Sequence, residues 1–279
     1  MRRLIKKFLF IAASLVMCGG ATCGQGDKRH GYLGFDRNEY PGDAVMGELR
    51  KEFTFAGYWL TPAPGGKTNS WSGKRKVMRE RGYGFLLLAR GRAGGAVGEA
   101  ASARKDGIAD AREAARSARF EGFAGGAIIF LDIEEGGRLA AAYHVYLRTW
   151  ADELVKSGFR PGVYCSGMVA NEAGGAGMVT AEDIRTNEAP RKIAYWVFND
   201  VCPPSPGCVA AVNPPLPEAS GVRAAAVWQF VRSPRNKDSA AQCSGYADEN
   251  CYAAEDAGRK WHLDMNVAAS ANPSFAPSK

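Results

Sequence analysis

Histidine is scarce in this chain: three residues in 279. That leaves little from which to build an imidazole-rich metal centre. Tight CxxC pairs are missing too, so the seven cysteines do not read as zinc ligands. There is no internal repeat, which excludes solenoids and propellers. There is no low-complexity segment apart from the closing "SANPSFAPSK". The one long apolar run outside strand-like segments, Phe8 to Met17, is too short to span a bilayer comfortably. That run follows Arg2, Arg3, Lys6 and Lys7 and precedes small residues, the layout of a secretory signal over residues 1–21. Two fates fit its end. Cys18 in "LVMC" is an imperfect lipobox that would carry a lipid anchor, or the cut falls near Ala21 and leaves residues 22–30 as a tail. The formal charge of +7 therefore overstates the working protein. Without the four basic residues of the leader, 36 Lys and Arg become 32 against 29 acids, a net of +3. Nucleic-acid binding gets little support from that balance.

Export, to a periplasmic or extracellular site, suits the cysteines. Cys202 with Cys208, and Cys243 with Cys251, each bracket a short loop rich in turn residues and read as two local disulfides. Cys165 lies in a strand-like run and reads as a buried free thiol.

Eight apolar runs rich in β-branched and aromatic residues follow one another: 32–36, 53–60, 84–90, 127–134, 161–166, 192–199, 225–231 and 261–267. Helical patterns lie between several of them. Residues 97–118 are alanine-rich and charged, residues 138–157 repeat apolar side chains at helical spacing up to Gly158, and Thr180 with Asp183 resembles a capping box for a short helix. Beyond residue 200 the connections read as loops. The expected architecture is α/β, a (β/α)8 TIM-like barrel over 31–268 with incomplete helices in its last third, followed by a flexible tail at 269–279.

The chemistry is concentrated in "FLDIEEGG", Phe130 to Gly137. Alternation along the strand puts Ile129, Leu131 and Ile133 on one face and Phe130, Asp132 and Glu134 on the other. Glu135 points away and reads as a solvated or structural acid. Acids two residues apart on one face have Cα atoms about 6.5–7 Å apart. Their rotamers can set the carboxyl groups within the roughly 5–9.5 Å that glycosidases use. Neighbouring acids resist joint ionisation, so one can keep a proton near neutral pH. Three readings compete for a lone DxE: solvated strand-end residues, a catalytic pair, or carboxylate ligands for a hard cation. Asp36 in "GFDR" and Asp264 in "HLDMN" add acids to the first and last strands, which adjoin in a closed barrel. Tyr58, Trp59, Tyr164, Trp196, Phe198, Trp228 and Gln229 lie in the runs between. Of these Tyr58, Tyr164, Trp196 and Gln229, with Asp264, are the candidate substrate contacts; aromatics pack against sugar rings while polar groups fix orientation.

The ordered set "GFD", "FLDIE", "GVYCSG", "YWVFN", "VWQF" and "LDMN" resembles glycoside hydrolase family 25 lysozymes, and more closely the glycoside-hydrolase-like domain known as DUF1906, over roughly residues 31–268. The resemblance implies a barrel that hydrolyses the β-1,4 bond between N-acetylmuramic acid and N-acetylglucosamine. It implies Glu134 as proton donor, Asp132 as partner carboxylate, and Asp36 and Asp264 as the acids of the first and last strands. The opening "GFDRNEYPG" departs from the family 25 "D-V-S" pattern, which bears on substrate choice. The expected partner is a cell-wall polysaccharide, with no cofactor, no metal and a monomeric chain. A barrel that binds glycan without cutting it, and a metal-dependent hydrolase, are the alternatives.

Overall fold

The computed structural model describes residues 31–172, 175, 177–202, 215–232 and 263–277. The leader, Cys18, the loop cysteines 208, 243 and 251 and the side chain of Cys202 lie outside the described residues, so the two expected disulfides do too.

Eight strands close into a barrel: β1 (Tyr32–Asp36), β2 (Phe55–Trp59), β3 (Gly84–Arg90), β4 (Ile128–Asp132), β5 (Arg160–Ser166), β8 (Ala194–Cys202), β9 (Ala225–Val231) and β10 (Asp264–Ala268). A small antiparallel hairpin, β6 (Val169–Asn171) with β7 (Gly177–Val179), stands outside it, between β5 and the helix that follows. Seven barrel strands run parallel, as the TIM-like expectation requires. The eighth, β10, is antiparallel to both its neighbours, β9 and β1. Its first residue therefore lies at the face where the other strands end, and Asp264 stands directly opposite Asp36 in the register.

Three helices fall where the sequence predicts them: α3 (Ala100–Phe120), α4 (Ala141–Lys156) and α5 (Thr180–Asn187). The buried positions of α3 are Ala103, Gly107, Ala111, Ala114, Ala115 and Ala118, a stripe of small residues at helical spacing that lets α4 pack close. Two short helices, α1 (Asp43–Leu49) and α2 (Arg75–Glu80), have too few turns to show a periodic signal in sequence.

The start of α5 differs from the capping-box expectation. Val179 occupies the cap position with no side-chain cap bond, and the Thr180 hydroxyl is buried without a partner. Asp183 is instead used across the fold. Its Oδ2 accepts from the Leu139 backbone N–H at 2.9 Å and lies 3.0 Å from His144 Nε2. His144, on α4, also places Nδ1 3.1 Å from Glu188 Oε1, so the imidazole bridges two buried carboxylates. Arg148 and Arg191 close on Glu188, and Arg138 approaches Asp183. Glu188, ahead of Asp183, raises the pKa of His144 from its ordinary 6.5 against the opposing effect of burial. A raised folded-state pKa means that the ring binds its proton more tightly in the native protein. The stabilisation is whole below about pH 6.5 and is lost as pH rises through the higher native value. Thermal melting followed from pH 5.5 to 9 is expected to show a falling transition temperature above pH 6.5. His144→Gln should flatten that slope; an unchanged slope would remove His144 as its source.

The segment expected to be a flexible tail is docked. Asn272 Oδ1 accepts from the Phe85 backbone N–H at 2.8 Å, and Ser274 Oγ accepts from the Leu87 N–H at 2.8 Å. Strand β4 pairs with β3 only from Leu87 onward, so these side chains serve N–H groups that the sheet leaves open. Arg160 Nη2 donates to the Ala276 carbonyl at 2.7 Å, and Ser274 is fully buried. Composition alone marks this segment as a flexible tail; its Asn272 and Ser274 side chains complete the hydrogen bonding at the base of β3.

Candidate active site

Parity along each strand decides which side chains enter the barrel. Gly57 leaves room for Asp36, because a Cβ there would lie 2.6 Å from the Asp36 Cβ. Phe130 packs edge-to-face on Trp196 at 6.0 Å between centroids, which places Asp132, two residues on, along the same inward face. Tyr164 packs edge-on against Trp196 at 4.7 Å between centroids and stands in register with Asp132. Asp36, Asp132 and Asp264 are each 5% exposed, and Glu134, two residues past the end of β4, is exposed.

The Tyr164 hydroxyl reports on how these acids are gathered. Burial pushes its pKa well above the ordinary value, and the carboxylates of Glu134, Asp36, Asp264 and Asp132 each push it further. All four acids are therefore within electrostatic reach of one phenol, which stays protonated. That hydroxyl donates to Gln229 Oε1 at 2.8 Å, and Gln229 Nε2 donates to Asp36 Oδ1 at 3.0 Å. Asn266 Nδ2 donates to the same oxygen at 2.7 Å, and Trp196 Nε1 donates to Asn266 Oδ1 at 2.8 Å. Two neutral amides thus hold the Asp36 carboxylate, each oriented by an aromatic donor.

Some sequence-predicted contacts are not where a ligand could meet them. Tyr58 is completely buried on the outer face of β2, among Trp71, Phe85 and Phe123, and its hydroxyl donates to Glu121 Oε2 at 2.6 Å. Its neighbour Trp59 has the inward parity, with Nε1 donating to the Arg37 carbonyl at 3.2 Å. Both faces of a barrel strand are buried, so "YW" gave no sign of which ring faces in. Trp196 and Gln229 are buried beneath the acids and position them rather than present a surface. Tyr164 and Asp264 remain in the layer of the acids. Glu135 Oε1 accepts from the Gly94 backbone N–H, tying the end of β4 to the loop after β3.

Two further site residues were not anticipated. Asn266 follows Asp264 by two positions and so shares its face; the "LDMN" motif carried it unremarked. Asp200 follows Trp196 and Phe198 by the same step along β8. Its Oδ2 meets Arg232 at 2.6 Å while its Oδ1 is buried without a partner. Burial raises the Asp200 pKa from 3.8, Arg232 opposes that rise, and Asp264 reinforces it. Cys165 is a buried free thiol whose pKa burial raises. Among the described residues no group of three or more His, Cys, Asp or Glu side chains is arranged to hold a metal ion.

Comparison with known proteins bears on part of this site, the part that holds Asp132, Glu134, Tyr164 and Trp196. Residues 65–202 match the family model described as the Rv2525c-like, glycoside hydrolase-like domain, in agreement with the resemblance carried by the ordered motifs. A solved B. stearothermophilus protein, described as uncharacterized, superposes with a TM-score of 0.55 at 19% identity, covering 88% of this chain and 99% of its own. The Clostridium perfringens spore cortex lytic enzyme SleM superposes with a TM-score of 0.50 at 14% identity, covering 85% of this chain and 67% of its own. At these identities the likeness shows the barrel fold. Comparison with curated proteins returns no match.

Proposed function

We propose that this protein is an exported glycosidase of the cell wall, hydrolysing β-1,4 bonds of peptidoglycan or a related polysaccharide. The observation that carries the proposal is the placement of the acids at the C-terminal face of the barrel: Asp36 stands opposite Asp264, Asp132 is level with Tyr164, whose hydroxyl reaches Asp36 through Gln229, and Glu134 follows β4 by two residues. That face is where barrels of this type build their active sites. The glycoside hydrolase-like family match gives the acids a reaction, and a neighbour described as a spore cortex lytic enzyme has the same fold.

In this mechanism Glu134, the exposed member, protonates the leaving glycosidic oxygen and then takes a proton from the attacking water. Asp132 orients the reacting sugar or steadies the positive charge that develops on it. Asp36, fixed by Gln229 and Asn266, adds negative potential to the same region at little reorganisation cost, because its amide partners are already in place. The alternative of a barrel that binds without cutting relied on rim aromatics such as Trp196. With Trp196 buried, it has less to rest on.

The test is product analysis. The mature protein incubated with purified peptidoglycan is expected to release fragments with new reducing ends at the muramic acid residue. Absence of new reducing ends, with the protein folded and bound to the glycan, would favour the binding-only barrel.

A further inference from the structure

Two clefts open among the loops that follow β1, β2 and β3, beside the acids rather than lined by them. One, of about 380 Å3, is lined by Thr61 and Gly66 from the loop after β2, by Arg90 and Arg92 at and beyond the end of β3, and by Asp110 and Glu113 of α3, of which Asp110 is neutralised by Arg92. The second, of about 570 Å3, shares Gly66 and continues over Lys67 to Asn38 and Tyr40 beyond β1. Each volume is within the range of sugar-sized ligand sites. Together they cross the loops that follow three consecutive strands, and so extend to one side of the acids, as a polymer site would.

The two arginines of the first cleft differ in their commitments. Arg92 is fully engaged: Nε meets Asp110 Oδ2 at 2.7 Å, Nη2 meets Asp110 Oδ1 at 2.9 Å, and Nη1 lies 3.0 Å from Asp106. Tyr146 donates to the same Asp110 and holds the pair in place. Arg90 is exposed, and only its backbone N–H is hydrogen-bonded, to Thr61 Oγ1 at 2.8 Å. Its guanidinium has no ion pair among the described residues. Strand register sets it beside Asp132. Arg138 and Arg232 on this face have carboxylate partners, Glu172 with Asp183 and Asp200 respectively, whereas Lys67 in the second cleft, like Arg90, has no ion pair among the described residues. Arg90 thus offers a planar fork of donors at the border between the acids and the groove, a geometry suited to a carboxylate.

We propose that the groove over the loops after β1, β2 and β3 binds a carboxylated glycan, and that Arg90 takes the sugar-borne carboxylate of the unit beside the reacting bond. The inference rests on the glycosidase reading and deepens it, by assigning a charge requirement to the substrate. It also separates the two ends of the site. The acids handle a linkage that becomes positive, and would repel an anionic group placed directly over them. Arg90 gives that group a place one step away. A residue that only balanced the charge of Asp132 would instead affect neutral and anionic glycans alike.

The experiment measures binding by calorimetry in a Glu134→Gln background, where no turnover interferes. The probes are soluble peptidoglycan strands stripped of their stem peptides, the same strands with their carboxylates converted to methyl amides, and strands with the peptides retained. Amidation is expected to weaken binding about tenfold, in line with loss of a charge-assisted pair. Arg90→Gln should bind the carboxylated strands as weakly as the parent binds the amidated ones, with no further loss on amidation. Arg90→Lys should recover part of the difference. Binding that depends on Arg90 only when peptides are retained would move the carboxylate from sugar to peptide and overturn the assignment made here. Equal affinities for carboxylated and amidated strands would overturn it outright. Charge-dependent binding without hydrolysis by the parent chain would defeat the glycosidase reading alone; hydrolysis indifferent to amidation and to Arg90 would defeat the carboxylate site alone. Melting temperature serves as the folding control, since Arg90 is exposed.

Discussion

Glu134→Gln is expected to lower the rate of glycan hydrolysis by about 10²–10⁴-fold, the usual contribution of a positioned general acid. It should leave the melting temperature near that of the parent. The second half of the expectation follows from geometry: Glu134 is exposed beyond the end of β4 and anchors no other element among the described residues. Asp132 is a contrasting case, buried within the strand face and in register with Tyr164. Asp132→Asn should therefore also reduce turnover, but with a change in stability that Glu134→Gln does not show. Rates of reducing-end release, measured beside thermal melts for both variants, check this. Retention of full activity by Glu134→Gln would require a different proton donor, and Asp200 is the next acid to test, since burial already raises its pKa.

Phe130→Ala is expected to destabilise the protein by about 3–5 kcal/mol, the range for emptying an aromatic site in a packed core. Phe130 is fully buried inside the barrel, edge-on to Trp196. The neighbouring strand makes room for it with Gly162, where a Cβ would lie 2.6 Å from the ring. Nothing else at that level can move in to fill the space, because the ring is held between strands rather than by a flexible loop. The effect should also reach the chemistry. Trp196 leans on Phe130 and donates to Asn266, which holds Asp36. A loosened Trp196 should lower turnover in the fraction that remains folded. Denaturant unfolding gives the first quantity and activity per folded molecule the second. A cost below about 1 kcal/mol would mean that the interior collapses around the gap.

Most of the strand framework was legible because its signals are local. Apolar runs rich in β-branched and aromatic residues marked all eight barrel strands, and β1, β3 and β9 coincide with the predicted runs residue for residue. The turn from Phe130 to Asp132 marked the end of β4 that faces the site. The alanine stripe marked α3. Less was legible where a choice depended on partners far along the chain. Alternation separates Tyr58 from Trp59 but does not say which of two buried faces is inside. Thr180 and Asp183 fit a cap in sequence, yet Asp183 is used by Leu139 and His144, some forty residues earlier. Asn272 and Ser274 look like a polar tail until the open N–H groups of β3 are placed beside them.

The sequence by itself determined that this chain makes a strand-rich α/β barrel whose acids fall near strand ends, because hydrophobic period and residue type act over a few neighbouring positions. Only the tertiary structure decided that β10 runs backwards. That reversal sets the first residue of one strand, Asp264, opposite the last residue of another, Asp36. It also decided that Gln229 and Asn266 converge on Asp36, and that the Tyr164 hydroxyl is linked to Asp36 through Gln229. These are consequences of barrel closure, which joins the two ends of the chain and brings together residues more than two hundred positions apart.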